Sequence, residues 1–435
     1  MPVTTTLITG GRVIDPSQRL DGVSDVWLHG DKVLHVGSRP DLKADHTINA
    51  QGKIVTPGLI DIHVHLREPG REEDETIATG AAAALAGGVT SVACMPNTEP
   101  PIDSQASAEF VVLQAKRARQ AHVFPIGCVT KGRKGEELAE MGGLVAGGAV
   151  AFTDDGAPVK SAEIMRRALE YCQMFDKPVL NHCEDLDLCK DGVMNEGEWS
   201  MKLGLRGYPA AAEDIMVARD IILAELTGGD LHVLHISSAG SVDLIRRGKE
   251  KGVKVSGEAC PHHFLLTDEC LRSYDSNFKM SPPLRTKKDI AAIIQGLKDN
   301  VIEVLCTDHA PHAVEKKLRE LDQAPNGIVG VETFLPLCIK GLVEPGHLTW
   351  SQMIEKMTCN PARILRLPGK GSLKPGMDAD VTIIDPKLQW TIYPEEFKSK
   401  SRNSPFKGWD VTGRAVTSIV HGEVRYQLEL PSRSA

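Results

Sequence analysis

A chain of 435 residues, 41% apolar and 25% charged, has ordinary globular usage and is long enough for two or three domains, or for one barrel with an attached module. A net charge of −8 argues against a surface built for nucleic acid or anionic membrane, and no apolar run approaches the ~20 residues that span a bilayer. The start, Met1-Pro2-Val3-Thr4-Thr5-Thr6, lacks the basic and apolar regions of a secretory signal, and the ten cysteines include no C-x-x-C pair, so a cytoplasmic protein with buried thiols is expected.

Residues 7–55 read as short strands, Leu7–Thr9, Arg12–Asp15, Asp25–Leu28, Lys32–Val36 and Thr47–Ile48, broken at Gly10-Gly11, Gly30-Asp31 and Gly52. The turn His29-Gly30-Asp31-Lys32 between two alternating runs predicts a hairpin. Similar patterning returns at Asp380–Asp385 and Val416–Tyr426. Five short strands close no sizeable core alone, so the two termini, 1–55 and 366–435, are expected to form one composite β-sandwich domain, with 56–365 inserted between them.

From residue 57 onward the pattern switches to strand, turn and helix, repeated. Apolar β-rich segments fall at 59–65, 89–95, 122–129, 148–153, 178–182, 231–236, 253–259 and 302–307. Helical spacing lies between them, clearest at Ala106–Gln120, Ala162–Phe175, Ala211–Leu226, Val242–Lys251 and Lys288–Lys298. Such alternation predicts parallel strands with helical crossovers, and eight units close a (β/α)8 barrel of the TIM type; the fold class is α/β.

In such a barrel the functional groups stand at the carboxyl ends of the strands. Strand one, Leu59-Ile60-Asp61-Ile62-His63-Val64-His65-Leu66-Arg67, alternates, which predicts Asp61, His63, His65 and Arg67 on one side and Ile60, Ile62 and Val64 on the other. Two imidazoles roughly 6.5–7 Å apart can both reach one cation. Strand two ends in Met95-Pro96-Asn97, strand four in Thr153-Asp154-Asp155-Gly156, strand five in Asn181-His182-Cys183-Glu184-Asp185, strand six in His235 and strand eight in Thr307-Asp308-His309-Ala310-Pro311-His312. A lone histidine at a strand end is usually structural; four histidines and two aspartates on one rim are what a mononuclear or binuclear hydrolase needs. Borderline cations such as zinc accept both donor types, and two of them ~3.5–4 Å apart can share a hydroxide. Asp154 or Asp155 would supply the bridging carboxylate.

These residues resemble the amidohydrolase superfamily, and within it the bacterial long-chain dihydroorotases. The likeness covers nearly the whole chain, and rests on the strand-one segment Pro57–Gly70, Met95-Pro96-Asn97-Thr98, Phe152–Gly156, Asn181–Asp185, Leu234-His235-Ile236-Ser237, Pro282-Pro283-Leu284-Arg285, Thr307–His312 and Gly327–Thr333. The resemblance implies two Zn2+ per subunit: His63, His65 and Asp308 on the first, His182 and His235 on the second, with Asp155 bridging beside the hydroxide. It implies dihydroorotase chemistry, in which hydroxide attacks the ring amide of L-dihydroorotate and Asp308 carries its proton to the ring nitrogen. The reverse direction closes N-carbamoyl-L-aspartate in pyrimidine biosynthesis.

Two cations against Asp155, Asp308 and hydroxide leave the site net positive, which suits an anionic substrate. Arg67, read on the same strand face as His65, can take the substrate's free carboxylate bidentately. Asn97 and His312 complete the pocket by resemblance, with Ser281, Asn326 and Gly327 near the ring. Many relatives carry asparagine where this chain has Ser281, and some carry phenylalanine where it has Asn326. The charged segment 312–327 reads as a loop over the site. His262, His263 and His309 are expected to pack rather than ligate. The partners implied are the small-molecule substrate, a second copy in a homodimer, and aspartate carbamoyltransferase, with no nucleic acid or membrane.

Two other readings compete with this one. Hydantoinases, dihydropyrimidinases and allantoinases, as that family is known, place a carboxylated lysine on strand four, whereas Gly148–Gly156 contains none and Lys131 lies on the wrong strand. Inactive dihydroorotase-like partners of aspartate carbamoyltransferase would be expected to lose several ligands, whereas all six candidates are present here.

Overall fold

The computed structural model describes residues 4–429; Met1–Val3, part of the N-terminal stretch read above, lie outside them. Strands β1 (Thr5–Asp15) and β2 (Leu20–His29) pair antiparallel, and β2 turns at Gly30 into β3 (Lys32–Val36). The hairpin predicted at His29–Lys32 is therefore present. Strands β4 (His46–Asn49) and β5 (Ile54–Pro57) run parallel to β1. The expected break at Gly10-Gly11 is instead a bulge inside one long strand: the register shifts between Ile8 and Gly11, with Gly10 at φ 74°. A Cβ on Gly11 would meet Val55 Cγ2 at 2.6 Å, which is why the strand passes β5 at a glycine.

The barrel strands follow as β6 (Leu59–Val64), β7 (Val89–Cys94), β8 (His122–Pro125) and β9 (Val179–Asn181). A separate parallel pair of two-residue strands, β10 (Met194–Asn195) and β11 (Gly207–Tyr208), lies in the excursion after β9. The ring resumes with β12 (Leu231–Val233), β13 (Val255–Ala259) and β14 (Val304–Leu305), all parallel to their neighbours.

The expected fourth strand, 148–153, forms only bridges at Phe152, to Gly127 and to Val179. Its backbone still joins the ring. Thr153 N–H donates to Gly127 O at 2.9 Å and Leu180 N–H to Phe152 O at 2.8 Å. Gly148, at φ 106°, stands at the entry to this segment. His65 N–H donating to His309 O at 2.8 Å closes the ring between the last strand and the first.

Strands β15 (Val381–Thr391), β16 (Asp410–Val420) and β17 (Glu423–Gln427) complete the terminal sheet, with β15 pairing antiparallel to β5. Both ends of the chain thus share one eight-stranded sheet folded around Ile8, Val26, Leu28, Val55, Val381 and Ile419. Inside the barrel, Ile60, Ile62, Met95, Leu180 and Leu234 form an apolar plug with Ile364 and Leu365. The rim therefore rests on a filled interior. Helices Gln105–Ala118, Ala162–Cys172, Ala211–Thr227, Ala239–Glu250 and Lys287–Lys298 lie within a few residues of their predicted positions. Among the described residues, no helix is long and apolar enough to cross a membrane.

Candidate metal centre and active site

One cavity of about 310 Å³ opens at the carboxyl ends of the barrel strands, and His65, Asp155, His182, His235 and Asp308 line it. Asp155 stands at its centre. Its Oδ1 lies 3.2 Å from His182 Nδ1 and 3.5 Å from His235 Nε2, and its Oδ2 lies 3.6 Å from His63 Nε2 and 3.5 Å from His65 Nε2. Asp308 Oδ1 is 3.0 Å from His65 Nε2 and 3.4 Å from His63 Nε2. Of the two strand-four aspartates, Asp154 faces elsewhere and accepts from Thr130 N–H at 3.0 Å and Thr130 Oγ1 at 2.5 Å.

This donor set fits divalent cations. His63 Nε2 is buried without a hydrogen-bond partner, although two carboxylates stand within 3.6 Å. Donor atoms of His63, Asp155 and His235, and of His63, His65 and Asp308, form two groups each spanning no more than 4.8 Å. Burial would raise both carboxyls, yet His63 and the neighbouring imidazoles hold Asp155 and Asp308 well below the usual carboxylate range. Burial opposes a charge on His182, but Asp155 and Glu184 raise it to about 10, so a proton and a cation compete for its Nδ1.

Three groups reach the cavity through backbone that alternation does not describe. The register between β6 and β7 shifts between Asp61 and Val64, so the expected single face splits. Ile60 and Ile62 enter the barrel plug while Val64 packs outside it. Asp61 leaves the site and accepts from Thr307 N–H at 3.2 Å and Thr307 Oγ1 at 2.5 Å. The strand ends at Val64, and Arg67 is aimed from a left-handed φ of 61° rather than by strand alternation. Asp308 and His235 likewise hold φ 47° and 29°. Left-handed non-glycine residues gathered at one rim mark a site over-determined by its surroundings.

Arg67 is 5% exposed and donates from Nε to Pro311 O at 3.2 Å. Burial lowers its guanidinium only to about 10, so it stays charged at neutral pH. Among the described residues no carboxylate stands within ion-pairing distance, which leaves the fork to an anion. Asn97, Ser281, His312, Asn326 and Gly327 all line the same cavity. Asn97 Oδ1 accepts from His65 Nδ1 at 2.9 Å, so this amide orients an imidazole as well as facing the pocket. Gly327, at φ 145°, has no room for a side chain: a Cβ would meet Ala310 O at 2.8 Å. The 312–327 segment contains the helix Val314–Lys317 and is strapped down by Lys316 Nζ to Asp74 at 2.9 Å and Lys317 Nζ to Pro325 O at 2.9 Å.

His312 has a partner on each nitrogen, donating from Nε2 to Asn326 O at 2.8 Å and accepting at Nδ1 from Arg71 Nη2 at 3.3 Å. Burial and the nearby Arg67 push it down to about 2. The folded state therefore binds fewer protons than the unfolded chain below the ordinary histidine value, so the protein loses stability as pH falls through ~6.5. Acidifying from about pH 7 to about pH 5 is expected to cost about 2 kcal/mol through this group. Denaturant titrations of the parent and His312→Gln at both pH values would check it, the variant showing the smaller acid loss.

Two carboxylates escaped the sequence reading. Glu184 Oε2 meets His182 Nε2 at 2.8 Å, and Glu258 Oε1 meets His63 Nδ1 at 2.6 Å. Glu184 stands two residues beyond His182, and Glu258 interrupts an apolar barrel strand; either signal could have been read. His262 and His263 lie outside the cavity lining, with His263 Nε2 donating to Pro282 O at 2.9 Å, and His309 Nδ1 accepts from Gly330 N–H at 3.2 Å.

A family model described as dihydro-orotase-like matches residues 52–241. The chain is 50% identical over 418 residues to a dihydroorotase of Acetivibrio thermocellus, covering 96% of this chain and 98% of that one. It is 53% identical over 424 residues to a dihydroorotase of Geobacter sp. strain M21, covering 97% and 99%. Among solved structures it is similar to the L-hydantoinase (dihydropyrimidinase) from Arthrobacter aurescens, with TM-score 0.87 and 24% identity over 97% of this chain and 96% of that one. That likeness speaks for the shared barrel and sandwich fold alone. Identity near one half, end to end on both chains, reaches well beyond fold: the chain belongs to the dihydroorotase family.

Proposed function

We propose that this chain is a zinc-dependent cyclic amidohydrolase that interconverts N-carbamoyl-L-aspartate and L-dihydroorotate, with loss of water on ring closure, in pyrimidine biosynthesis. The observation that carries the substrate is Arg67, a buried guanidinium without an acidic partner among the described residues, on the wall of a cavity floored by imidazoles and carboxylates. His63, His65 and Asp308 would hold one cation and His182 and His235 a second, with Asp155 between them. When bound, such cations lower the pKa of water toward neutrality and polarise a carbonyl oxygen.

The chain's own groups do the rest. Arg67 binds the substrate's free carboxylate with its guanidinium fork, and Asn97 presents its amide beside it. Ser281, Asn326 and the bare backbone of Gly327 shape the wall against the ring, and His312 holds Asn326 in place. Asp308, ionised and 4% exposed, takes the proton of the attacking water at its carboxylate and returns it to the departing ring nitrogen. In ring closure the same oxygen accepts the ureido proton and delivers it to the departing hydroxyl.

The reading also divides the chain into a composite sandwich, 1–55 and 366–435, and a catalytic barrel, 56–365, and has it work in the cytoplasm as a homodimer able to associate with aspartate carbamoyltransferase. Turnover of L-dihydroorotate should far exceed that of hydantoin or allantoin under matched conditions. Preference for either of the latter would remove the substrate assignment and leave the cation site standing.

A further inference from the structure

Beneath the rim lies a carboxylate that no ligand role absorbs. Glu258, on β13, is 0% exposed. Its Oε1 accepts from His63 Nδ1 at 2.6 Å and from the backbone N–H of His235 at 3.1 Å. Its Oε2 meets His232 Nε2 at 3.2 Å, and His232 is anchored in turn by Ser256 Oγ at 2.7 Å. One carboxylate thus fixes the ring of the strand-one imidazole and the backbone that carries the strand-six imidazole.

Those two residues face different oxygens of Asp155, His63 Nε2 lying 3.6 Å from Oδ2 and His235 Nε2 3.5 Å from Oδ1. With Nδ1 donating to Glu258, the His63 ring is left with its Nε2 lone pair aimed at Asp155 and Asp308. His235 holds φ 29°, a backbone conformation that a residue with a side chain keeps only under restraint, and its N–H bond to Glu258 is such a restraint. The other orienting contacts each serve one ring: the neutral amide of Asn97 on His65, and Glu184 on His182. Glu258 reaches both His63 and His235, and as a full negative charge it also strengthens the donor character of His63.

We infer that Glu258 is the positioning residue of the cation pair, setting the affinity of both subsites through His63 and His235 without touching cation or substrate. The inference rests on reading those two histidines as ligands. A merely structural role, tying β12 to β13, predicts lost stability and unchanged affinity. Glu213 supplies the control: it is 2% exposed and accepts from Ser237 N–H and Ser238 N–H, both at 3.1 Å, with no bond to a proposed ligand.

The full chain and its Glu258→Gln and Glu213→Gln variants would be stripped by chelation. Each would be titrated with Zn2+ against a chromophoric chelator and with Co2+ for its visible absorption, and the thermal midpoint of the stripped protein recorded. Glu258→Gln is expected to weaken Zn2+ binding about 10–100-fold and alter the Co2+ spectrum, while Glu213→Gln stays within about twofold of the parent. Should Glu258→Gln fail to fold, Glu258→Asp, which keeps the charge but retracts it by one methylene, is expected to weaken Zn2+ binding to a lesser degree. Affinity within about twofold of the parent in whichever Glu258 variant folds, or equal weakening in the Glu213 control, would overturn the inference. A parent chain that binds no Zn2+ would overturn the ligand assignments themselves, a separately readable failure.

Discussion

Asp308→Asn is expected to lower kcat for L-dihydroorotate by about 10²–10⁴-fold, the range that a positioned general acid–base group supplies. Asparagine keeps the shape and can still face His65 and His63, but it carries no proton between the attacking water and the ring nitrogen. The carboxylate is 4% exposed and its backbone is held at φ 47°, so its place in the site is fixed. Burial would keep Asp308 protonated, but His63, His65 and His235 hold it ionised across the working range, so the group is ready to accept. Steady-state kinetics and metal content measured on one preparation would separate its two roles. A fall in kcat at full metal occupancy identifies the proton carrier, whereas a fall that merely tracks lost metal leaves Asp308 as a ligand alone.

Arg67→Ala should act on substrate capture instead. Two charge-assisted hydrogen bonds in a buried site are worth about 3–4 kcal/mol together, so kcat/KM should drop about 10²–10³-fold, chiefly through KM. Removing a buried guanidinium that has no acidic partner among the described residues costs the fold little, and the thermal midpoint should hold or rise. Arg67→Lys keeps a charge but not the planar fork, and should recover only part of the loss. Unchanged KM in both variants would mean that the substrate's carboxylate is bound elsewhere.

The barrel could be read in advance because eight short apolar segments alternate with longer stretches of helical spacing, and that alternation is the pattern of parallel strands with helical crossovers. The rim could be read for the same reason: strand ends are where a barrel exposes side chains, and His63, His65, Asp155, His182, His235 and Asp308 all stand at them. What local periodicity could not supply was backbone irregularity. The register shift after Asp61 turned that carboxylate out of the cavity, toward Thr307 and the backbone N–H of His63, and the left-handed turn at Arg67 aimed a guanidinium that strand alternation would have aimed only by accident. Strand four shrank to bridges at Phe152. Glu258 stayed hidden because its partner His63 lies 195 residues away in sequence, a pairing that only the folded ring creates, whereas Glu184, two residues beyond His182, was within reach of the local sequence.

Metal content is the most direct test of the whole account. Elemental analysis of the dialysed native chain should find about two divalent cations per chain, with a clear loss in His63→Ala, and exhaustive chelation should abolish turnover of L-dihydroorotate until Zn2+ is restored. A chain that carries no cation, or that turns over the substrate equally well after chelation, would contradict it.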